Sequence, residues 1–331
     1  MQIVFLNTFE KQGEDGSVVS AQLTISEEHG VWGVDWLEER DGSEQDRWFQ
    51  GTSWEEMMTA FRYGIARMMG LGYSPIVDGM LDSERNGSGG FVTMLQCYGE
   101  LNANEELFQQ LRDWRRKAAA EEKKSAYLVA TNRMLWMISA FVPRTQDELS
   151  QIPGWGKAKL AAYGESVLKI TSGAERTTDF PLDWVAGALD GEQYTTWLYK
   201  QKENKYKGMM DRQQEKKQIL LIMQQAGGLD QLQKELSLSR RELLLRIEQL
   251  EQEGYDIEGL LERELSHVPE SERDQIWQAM STMGDRYLKP VLTHVYGEDP
   301  QAGTDRQVEQ LYERLRLMRM SYRRKKQEKA V

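Results

Sequence analysis

The hydrophobic periodicity of this chain changes near residue 104. Before that point, short segments rich in Val, Thr, Trp and Phe alternate with Gly/Asp/Ser turns, and after it apolar residues recur every three or four positions. Alternation is typical of β-strands, and the longer spacing is typical of amphipathic helices. The 331 residues also exceed the ~100–200 of a typical domain. The sequence therefore predicts a multidomain, mainly α protein with a small N-terminal α+β domain.

The first hundred residues predict an antiparallel meander followed by one helix. Strands are expected at residues 3–9, 18–26, 31–37 and 47–50, between Gly/Asp turns. Thr52 and Ser53 each precede a Glu by three residues, a capping-box pattern that predicts a helix as far as Gly70. A glycine-rich surface loop at 86–90 and a further strand at 91–98 are expected next. Nothing in this region indicates chemistry.

Charge is distributed unevenly along the chain. The net charge is −11, with 6 basic and 17 acidic residues in 1–104, 11 and 8 in 105–172, and 25 and 28 in 173–331. Only the middle segment is basic. Such asymmetry is typical of a module that faces a polyanion beside neighbours that do not, and it is equally compatible with solvated helices.

Composition excludes several classes of site. The single cysteine, Cys97, cannot form an internal disulfide, and neither it nor the three histidines lie in a metal-ligand pattern. No metal and no other cofactor is expected. No apolar run approaches the ~20 residues that cross a bilayer, and the N-terminus does not resemble a secretion signal. We expect no membrane association and a cytoplasmic location.

Residues 105–172 predict four successive helices. Leu107, Phe108, Leu111 and Trp114 form one apolar stripe, a second helix is expected at 127–141, and a Thr-x-x-Glu box at 145–148 opens a third. The fourth follows the turn Ile-Pro-Gly-Trp-Gly-Lys at 152–157 and is expected to end near residues 163–164. Glycines at such a turn let backbone N–H groups approach a phosphate, and lysines at the helix start add positive charge.

With their helices and this turn taken together, residues 104–171 resemble the HRDC domain, a helical module of RecQ-type helicases and RNase D. The residues that carry the resemblance are Leu111, Arg112, Trp114, Arg115, Ala130, Asn132, Leu135, Pro143, Leu149, Ile152, Gly154, Gly156, Lys157, Tyr163 and Gly164. The resemblance implies a bundle of about five helices that contacts nucleic-acid backbone, often single-stranded, and supplies no catalysis. Some members of the family bind proteins instead.

We accordingly expect a set of basic, polar and turn residues of this segment to contact nucleic acid. They are Arg115, Arg116, Lys117, Lys123, Lys124, Asn132, Arg133, Gly154, Trp155, Gly156, Lys157 and Lys159. DNA is favoured over RNA as the ligand, and no small-molecule substrate is expected.

The chain after residue 172 predicts a linker and connector helix, then a helix-turn-helix. The connector carries a basic and aromatic run at 197–207, which suits either a phosphate backbone or solvent. Two short helices follow Gly227-Gly228, the second capped by Ser239, with Arg240, Arg241 and Arg246 as expected nucleic-acid contacts. Acidic later turns leave a structural or protein-binding winged helix as an equal alternative.

The last segments add a second, shorter resemblance. Residues 284–298 are similar to the end of a helix-turn-helix module that follows some RecQ-like helicases, although EDPQAGT at 298–304 departs from that pattern. A basic helix ends the chain and suits nucleic acid or a frayed terminus equally. The expected division is 1–103, 104–172, 173–212, 213–298 and 299–331.

No phosphate-binding Gly-x-x-x-x-Gly-Lys-Ser/Thr motif and no Asp-Glu helicase box occurs in the sequence. The sequence therefore predicts no enzyme but a nucleic-acid-binding accessory protein, linked to DNA repair, recombination or helicase function, for single-stranded or structured DNA. The alternative is an adaptor that docks on a helicase, or on a replication or transcription protein, without touching nucleic acid.

Overall fold

The structure is a computed structural model that describes residues 1–13, 16–38, 44–77, 90–297 and 305–328. The chain forms two compact units, Met1–Gly208 and Met209–Val331. No helix in the described ranges is both long enough and apolar enough to cross a membrane.

A five-stranded antiparallel sheet with one helix opens the first unit. The strands are β1 (Gln2–Gln12), β2 (Val18–Glu28), β3 (Val31–Glu38), β4 (Glu44–Gly51) and β5 (Ser74–Pro75), in the order β4-β3-β2-β1-β5. Helix α1 (Trp54–Gly70) begins after Ser53, whose hydroxyl accepts from the Glu56 N–H. Phe9, Leu23 and Trp36 pack with Phe61 of α1 in one core. The predicted α+β domain and its meander are confirmed.

The predicted strand at 91–98 is wrong, because helix α2 (Gly90–Leu101) occupies these residues. Leu95 and Tyr98 pack into the core of the helical bundle that follows. A short apolar run suits a strand or a buried helix equally, so periodicity alone could not separate them. The loop expected just before it, at 86–89, lies outside the described residues.

The bundle contains five helices over the region of the HRDC resemblance. They are α3 (Glu105–Glu121), α4 (Ala126–Val129), α5 (Asn132–Phe141), α6 (Gln146–Ser150) and α7 (Lys157–Thr171). The mainly helical fold is thereby confirmed, with two local corrections. The expected helix at 127–141 is interrupted at Ala130, because Thr131 caps α5 by accepting from the Met134 N–H. Helix α7 also continues past Gly164, because Val167 and Thr171 are buried in later turns.

The residues expected to form a linker pack against this bundle. A 3-10 turn (Leu182–Trp184) and helix α8 (Val185–Ala188) place Leu182 and Val185 in the same core as α3 and α5. Helix α9 (Gly191–Gln224) follows, and its residues from Met209 onward belong to the second unit.

The second unit contains only helices in its described residues, 209–297 and 305–328. After α9 come α10 (Leu229–Leu236), α11 (Arg240–Gln252), α12 (Glu258–Leu265), α13 (Glu270–Met283), α14 (Leu288–Tyr296) and α15 (Asp305–Glu328). Ser239 and Glu242 form the expected capping box at the start of α11. No strand is present within these ranges, so the wing of a winged helix is not seen there. The departure EDPQAGT, at 298–304, lies outside the described residues.

Helix α15 packs into this unit along most of its length. Leu315, Met318 and Met320 lie in the unit's core. Five of its arginines pair with acids of the same unit, as Arg314 does with Glu272 at 3.1 Å. The basic residues of α15 are therefore largely neutralised within the unit.

Candidate nucleic-acid interface

Three elements of the bundle meet at the break between α4 and α5. From α3, Nη1 of Arg115 donates to the Ala130 carbonyl at 3.0 Å and to Oδ1 of Asn132 at 2.9 Å. From α7, Nζ of Lys159 donates to the carbonyls of Leu128, at 2.9 Å, and Val129. These contacts fix α4 between the other two helices.

The Arg115 and Lys159 cations are therefore directed inward. Burial lowers the pKa of Lys159, and burial together with the neighbouring Arg112 and Arg116 lowers the pKa of Arg115. Lys159 thereby uses two of its three N–H donors, and Arg115 uses both donors of Nη1. Among the residues expected to contact nucleic acid, Arg115 and Lys159 therefore hold α4 in position.

The glycine turn before α7 packs on the first turn of α5. Gly154 has φ +93°, and a Cβ there would lie 1.9 Å from Cε of Met134, so no other residue fits without displacement. Trp155 is 2% exposed and belongs to the bundle core. The Trp155 ring is therefore not available to stack on a base, and contact of this turn with nucleic acid stays a prediction for its backbone and its lysines.

The start of α7 is open to solvent. Gly156 is its N-cap and supplies no side-chain cap, and nothing lies within 4 Å of the place a Cβ would take. The first N–H groups of a helix attract anions when no side chain satisfies them. Lys157 is exposed beside them, and in the described part of the chain no acid or hydrogen-bond acceptor engages its ammonium group.

The remaining expected contacts differ in how freely they can meet a ligand. Lys117 and Lys123 are exposed, with no ion pair among the described residues. Arg116 pairs with Asp113 at 3.3 Å across the surface of α3. Nζ of Lys124 donates to Glu122 at 2.7 Å, which raises the pKa of Lys124.

Two exposed apolar side chains on α4 were not expected from the sequence. Tyr127 is 66% exposed and Leu128 is 54% exposed, and both lie next to the carbonyls that Lys159 holds. The signal available in the sequence was an aromatic residue three positions after Lys123-Lys124. A single continuous helix was expected from residue 127, and in such a helix nothing distinguishes Tyr127 from other surface residues.

The expected contacts of the second unit are mostly engaged in ion pairs. Arg240 lies between three acids, with N–O distances of 2.8 Å to Asp230, 3.0 Å to Glu313 and 3.8 Å to Glu264. Nε of Arg246 donates to Glu215 of α9 at 2.5 Å. Arg241 is exposed and forms no ion pair with any described residue.

Acidic residues of helix α11 also attach it to the rest of its unit. Glu248 and Glu251 are buried, and Glu248 accepts from Arg316 and Arg319 of α15. The helix expected to read DNA therefore packs by one face into its own unit. In neither unit do the described residues include three His, Cys, Asp or Glu side chains grouped to hold a metal ion.

Comparisons with known proteins agree with the bundle. The model of the HRDC domain family matches residues 104–171. The ATP-dependent DNA helicase UvrD2 of Mycobacterium tuberculosis is 39% identical over 72 residues, which are 22% of this chain and 10% of the helicase. The ATP-dependent DNA helicase RecQ of Bacillus subtilis is 35% identical over 79 residues, 24% of this chain and 13% of that protein. No solved structure matches.

The matched part thus spans about a tenth of the length of each helicase. The five helices α3 to α7 coincide with the match, and the specific Gly-Trp-Gly-Lys turn lies inside it. Residues 104–171 of this chain are therefore an HRDC domain, similar to those of the helicases UvrD2 and RecQ.

Proposed function

We propose that this protein is a non-catalytic accessory factor whose HRDC domain binds single-stranded or structured DNA in helicase-linked repair or recombination. The binding site is the α4–α5 surface, which we define as Lys123, Tyr127, Leu128, Asn132 and Lys157. The observation that carries the proposal is Tyr127, which is 66% exposed on the short helix α4 of a domain in which Lys123 and Lys157 are exposed and paired with no described acid.

This arrangement offers both contacts that a flexible strand needs. An exposed aromatic ring stacks on an unpaired base and contributes about 1–3 kcal/mol per base, whereas the bases of a duplex are already stacked. Lys123, Lys157 and the uncapped start of α7 offer positive charge and N–H donors to phosphates. Arg115 and Lys159 hold α4 in place, which keeps the Tyr127 ring at a fixed position relative to the positive charges.

The test is the binding of the full chain to a fluorescent oligothymidylate, measured by anisotropy over a range of salt concentrations. Tyr127→Ala is expected to weaken binding by roughly 5- to 100-fold, from the loss of one stacked base. Lys157→Ala should reduce the slope of log K against log salt by about 0.7, the value for one phosphate of a single strand.

The second unit provides the matched control. Tyr287 is 65% exposed, almost the same as Tyr127, and lies outside the α4–α5 surface. Tyr287→Ala should leave affinity unchanged. If the folded wild-type chain binds neither single- nor double-stranded oligonucleotides at low salt, the proposal is wrong.

The second candidate function is a protein-interaction adaptor that docks on a helicase or a replication or transcription protein. The pairing of Arg240 and Arg246 with acids favours a partner-binding role for the second unit over base reading by α11. As an adaptor, the chain would dock on its partner without touching nucleic acid itself. Only the adaptor function would survive a failure of the wild-type chain to bind DNA.

A further inference from the structure

Helix α9 lies alongside the HRDC bundle within the first unit. Nη2 of Arg133, in the first turn of α5, donates to Oε1 of Gln201 at 3.1 Å. One turn earlier on α9, Nε1 of Trp197 donates to Oε2 of Glu100 on α2 at 3.0 Å. These two contacts fix the orientation of α9 around its axis, so the positions of its neighbouring side chains follow from helix geometry.

Two lysines of α9 lie beside the Arg133 contact. Lys205 is one turn beyond Gln201 on the same face of the helix, and Lys202 is the adjacent residue, turned by about 100°. Lys205 is exposed and Lys202 is half-buried. Along the axis of α9, both lysines lie beyond Trp197, the residue that contacts α2.

Neither lysine is neutralised by an acid in the described part of the chain. The ammonium groups of Lys202 and Lys205 each lie 5.8 Å from a ring centroid, that of Tyr199 and that of Tyr206 respectively. The acid closest to them in sequence, Glu203, is paired with Lys200 at 2.7 Å. A cation held over an aromatic ring keeps its full charge for an anionic ligand.

A series of hydrogen bonds links these lysines to the α4–α5 surface. Arg115 bonds Asn132, the next residue is Arg133, and Arg133 bonds Gln201 beside the two lysines. Positive charge thus continues from the bundle onto α9. An exposed basic strip that joins a binding surface favours the same polyanion as its occupant, because one strand can follow both.

We propose that the DNA strand bound by the HRDC domain continues onto α9, where Lys202 and Lys205 contact its phosphates and Arg133 lies at the junction. This inference rests on the proposed function and deepens it, since it assigns a longer footprint to the same single-stranded ligand. The α4–α5 surface alone would hold a short strand, and the α9 lysines would contact only a strand long enough to reach past Arg133.

The experiment compares two lengths of oligothymidylate on the full chain, about 8 nucleotides, within the usual site sizes of single-strand binding modules, and about 30, well beyond them. The double variant Lys202→Gln/Lys205→Gln should bind the long strand more weakly than wild type, with a salt slope smaller by about 1.4, equal to two phosphates. Its affinity for the short strand should be unchanged.

A matched control separates local contact from net charge. Lys234→Gln/Lys289→Gln removes the same two charges from exposed positions of the second unit and should leave both affinities as in wild type. The inference is overturned if the α9 variant behaves like this control, while wild type still binds both strands. It is also overturned if the variant loses affinity for both lengths equally, because the lysines would then belong to the site that binds the short strand. Failure of wild type to bind either strand would instead show that the proposed function itself is wrong.

Discussion

Gly154 and Gly156 are two residues apart, yet the structure gives them opposite requirements. Gly154 adopts φ +93° and presses its α-carbon against Met134, so its role is packing. Gly156 has an ordinary φ of −76° and faces open space at the start of α7. The fold therefore excludes a side chain at the first position and leaves room for one at the second.

Substitutions at these two positions should separate stability from binding. Gly154→Ala is expected to lower the free energy of unfolding by about 1–3 kcal/mol through backbone strain, with a further loss from displacing Met134. Gly156→Ser should keep or slightly raise stability, because serine is a good N-cap, and should weaken DNA binding, because its hydroxyl takes the N–H groups offered to phosphate. Thermal unfolding and anisotropy measure the two effects. Unchanged affinity in Gly156→Ser would show that the start of α7 does not contact the strand.

Cys97 should be unreactive in the native protein. It is fully buried on α2, and burial raises the pKa of its thiol to about 11, so almost none of it is thiolate at neutral pH. We expect alkylation by iodoacetamide at pH 8 to be far slower than for a free thiol and to recover the ordinary rate in denaturant. Labelling followed by mass spectrometry checks this. Rapid reaction under native conditions would contradict the buried position of α2.

At the scale of elements, the pairing of α11 with α15 replaces the expected free basic surface. Glu248 of α11 is 7% exposed and accepts from two arginines, Arg316 at 3.2 Å and Arg319. Arg323 of α15 bonds Asp285, which lies between α13 and α14, at 2.5 Å. Ion pairs thus join α15 both to α11 and to the α13–α14 connection.

Removal of the shared carboxylate should be costly. Glu248→Ala leaves two partly buried guanidinium groups without their acceptor, and we expect the free energy of unfolding to fall by about 3–5 kcal/mol. Glu253→Ala, at the end of the same helix, removes a more exposed pair with Lys216 and should cost at most ~1 kcal/mol. Urea unfolding of both variants measures the difference. Equal losses would mean that α15 does not depend on this pair.

The Asp285–Arg323 pair makes the second unit sensitive to acid. The hydrogen bond from Arg323 lowers the pKa of Asp285 below its ordinary value. Its contribution is therefore complete above the unfolded value of about 3.9 and is lost as pH falls through the lower folded value. Asp285→Asn should be less stable than wild type near pH 7, by under ~1 kcal/mol, and the difference should vanish in strong acid. A difference that persists there would point to packing instead of charge.

At the scale of the molecule, the HRDC bundle extends beyond the matched residues at both ends. Leu95 of α2 lies in its core, and Tyr98 stacks on Phe141 with ring centroids 5.3 Å apart. Leu182 and Val185 close the core on the other side. A boundary drawn at residue 103 or 172 therefore cuts through packed side chains.

Truncation should reveal these borders. A chain that starts at Gly90 should keep the bundle folded, with DNA affinity unchanged or modestly raised, because the acidic N-terminal residues are gone. A chain that starts at Asn104 lacks α2 and should lose several kcal/mol, since each large buried side chain contributes about 2–5 kcal/mol. Thermal unfolding of the two fragments tests this. Equal melting temperatures would show that α2 is dispensable to the bundle.

The sequence alone determined what depends on near neighbours in the chain. Alternation placed β1 to β4, capping residues placed the starts of α1, α6 and α11, and the Gly-Trp-Gly-Lys turn with its helices led to the HRDC domain. These signals work because strand pleat, helix period and caps are set by residues a few positions apart.

Only the tertiary structure decided which charges and rings remain available to a ligand. Arg240 meets Glu313, 73 residues away, and Trp155 faces the core although it follows the pattern of a surface turn. Whether 91–98 is a strand or a helix also depended on what covers Leu95. Exposure and ion pairing arise from contacts between distant segments, and a single sequence carries no record of such distances. Tyr127 is therefore the centre of the candidate site by virtue of the tertiary structure alone, in which Arg115 and Lys159 fix the position of α4.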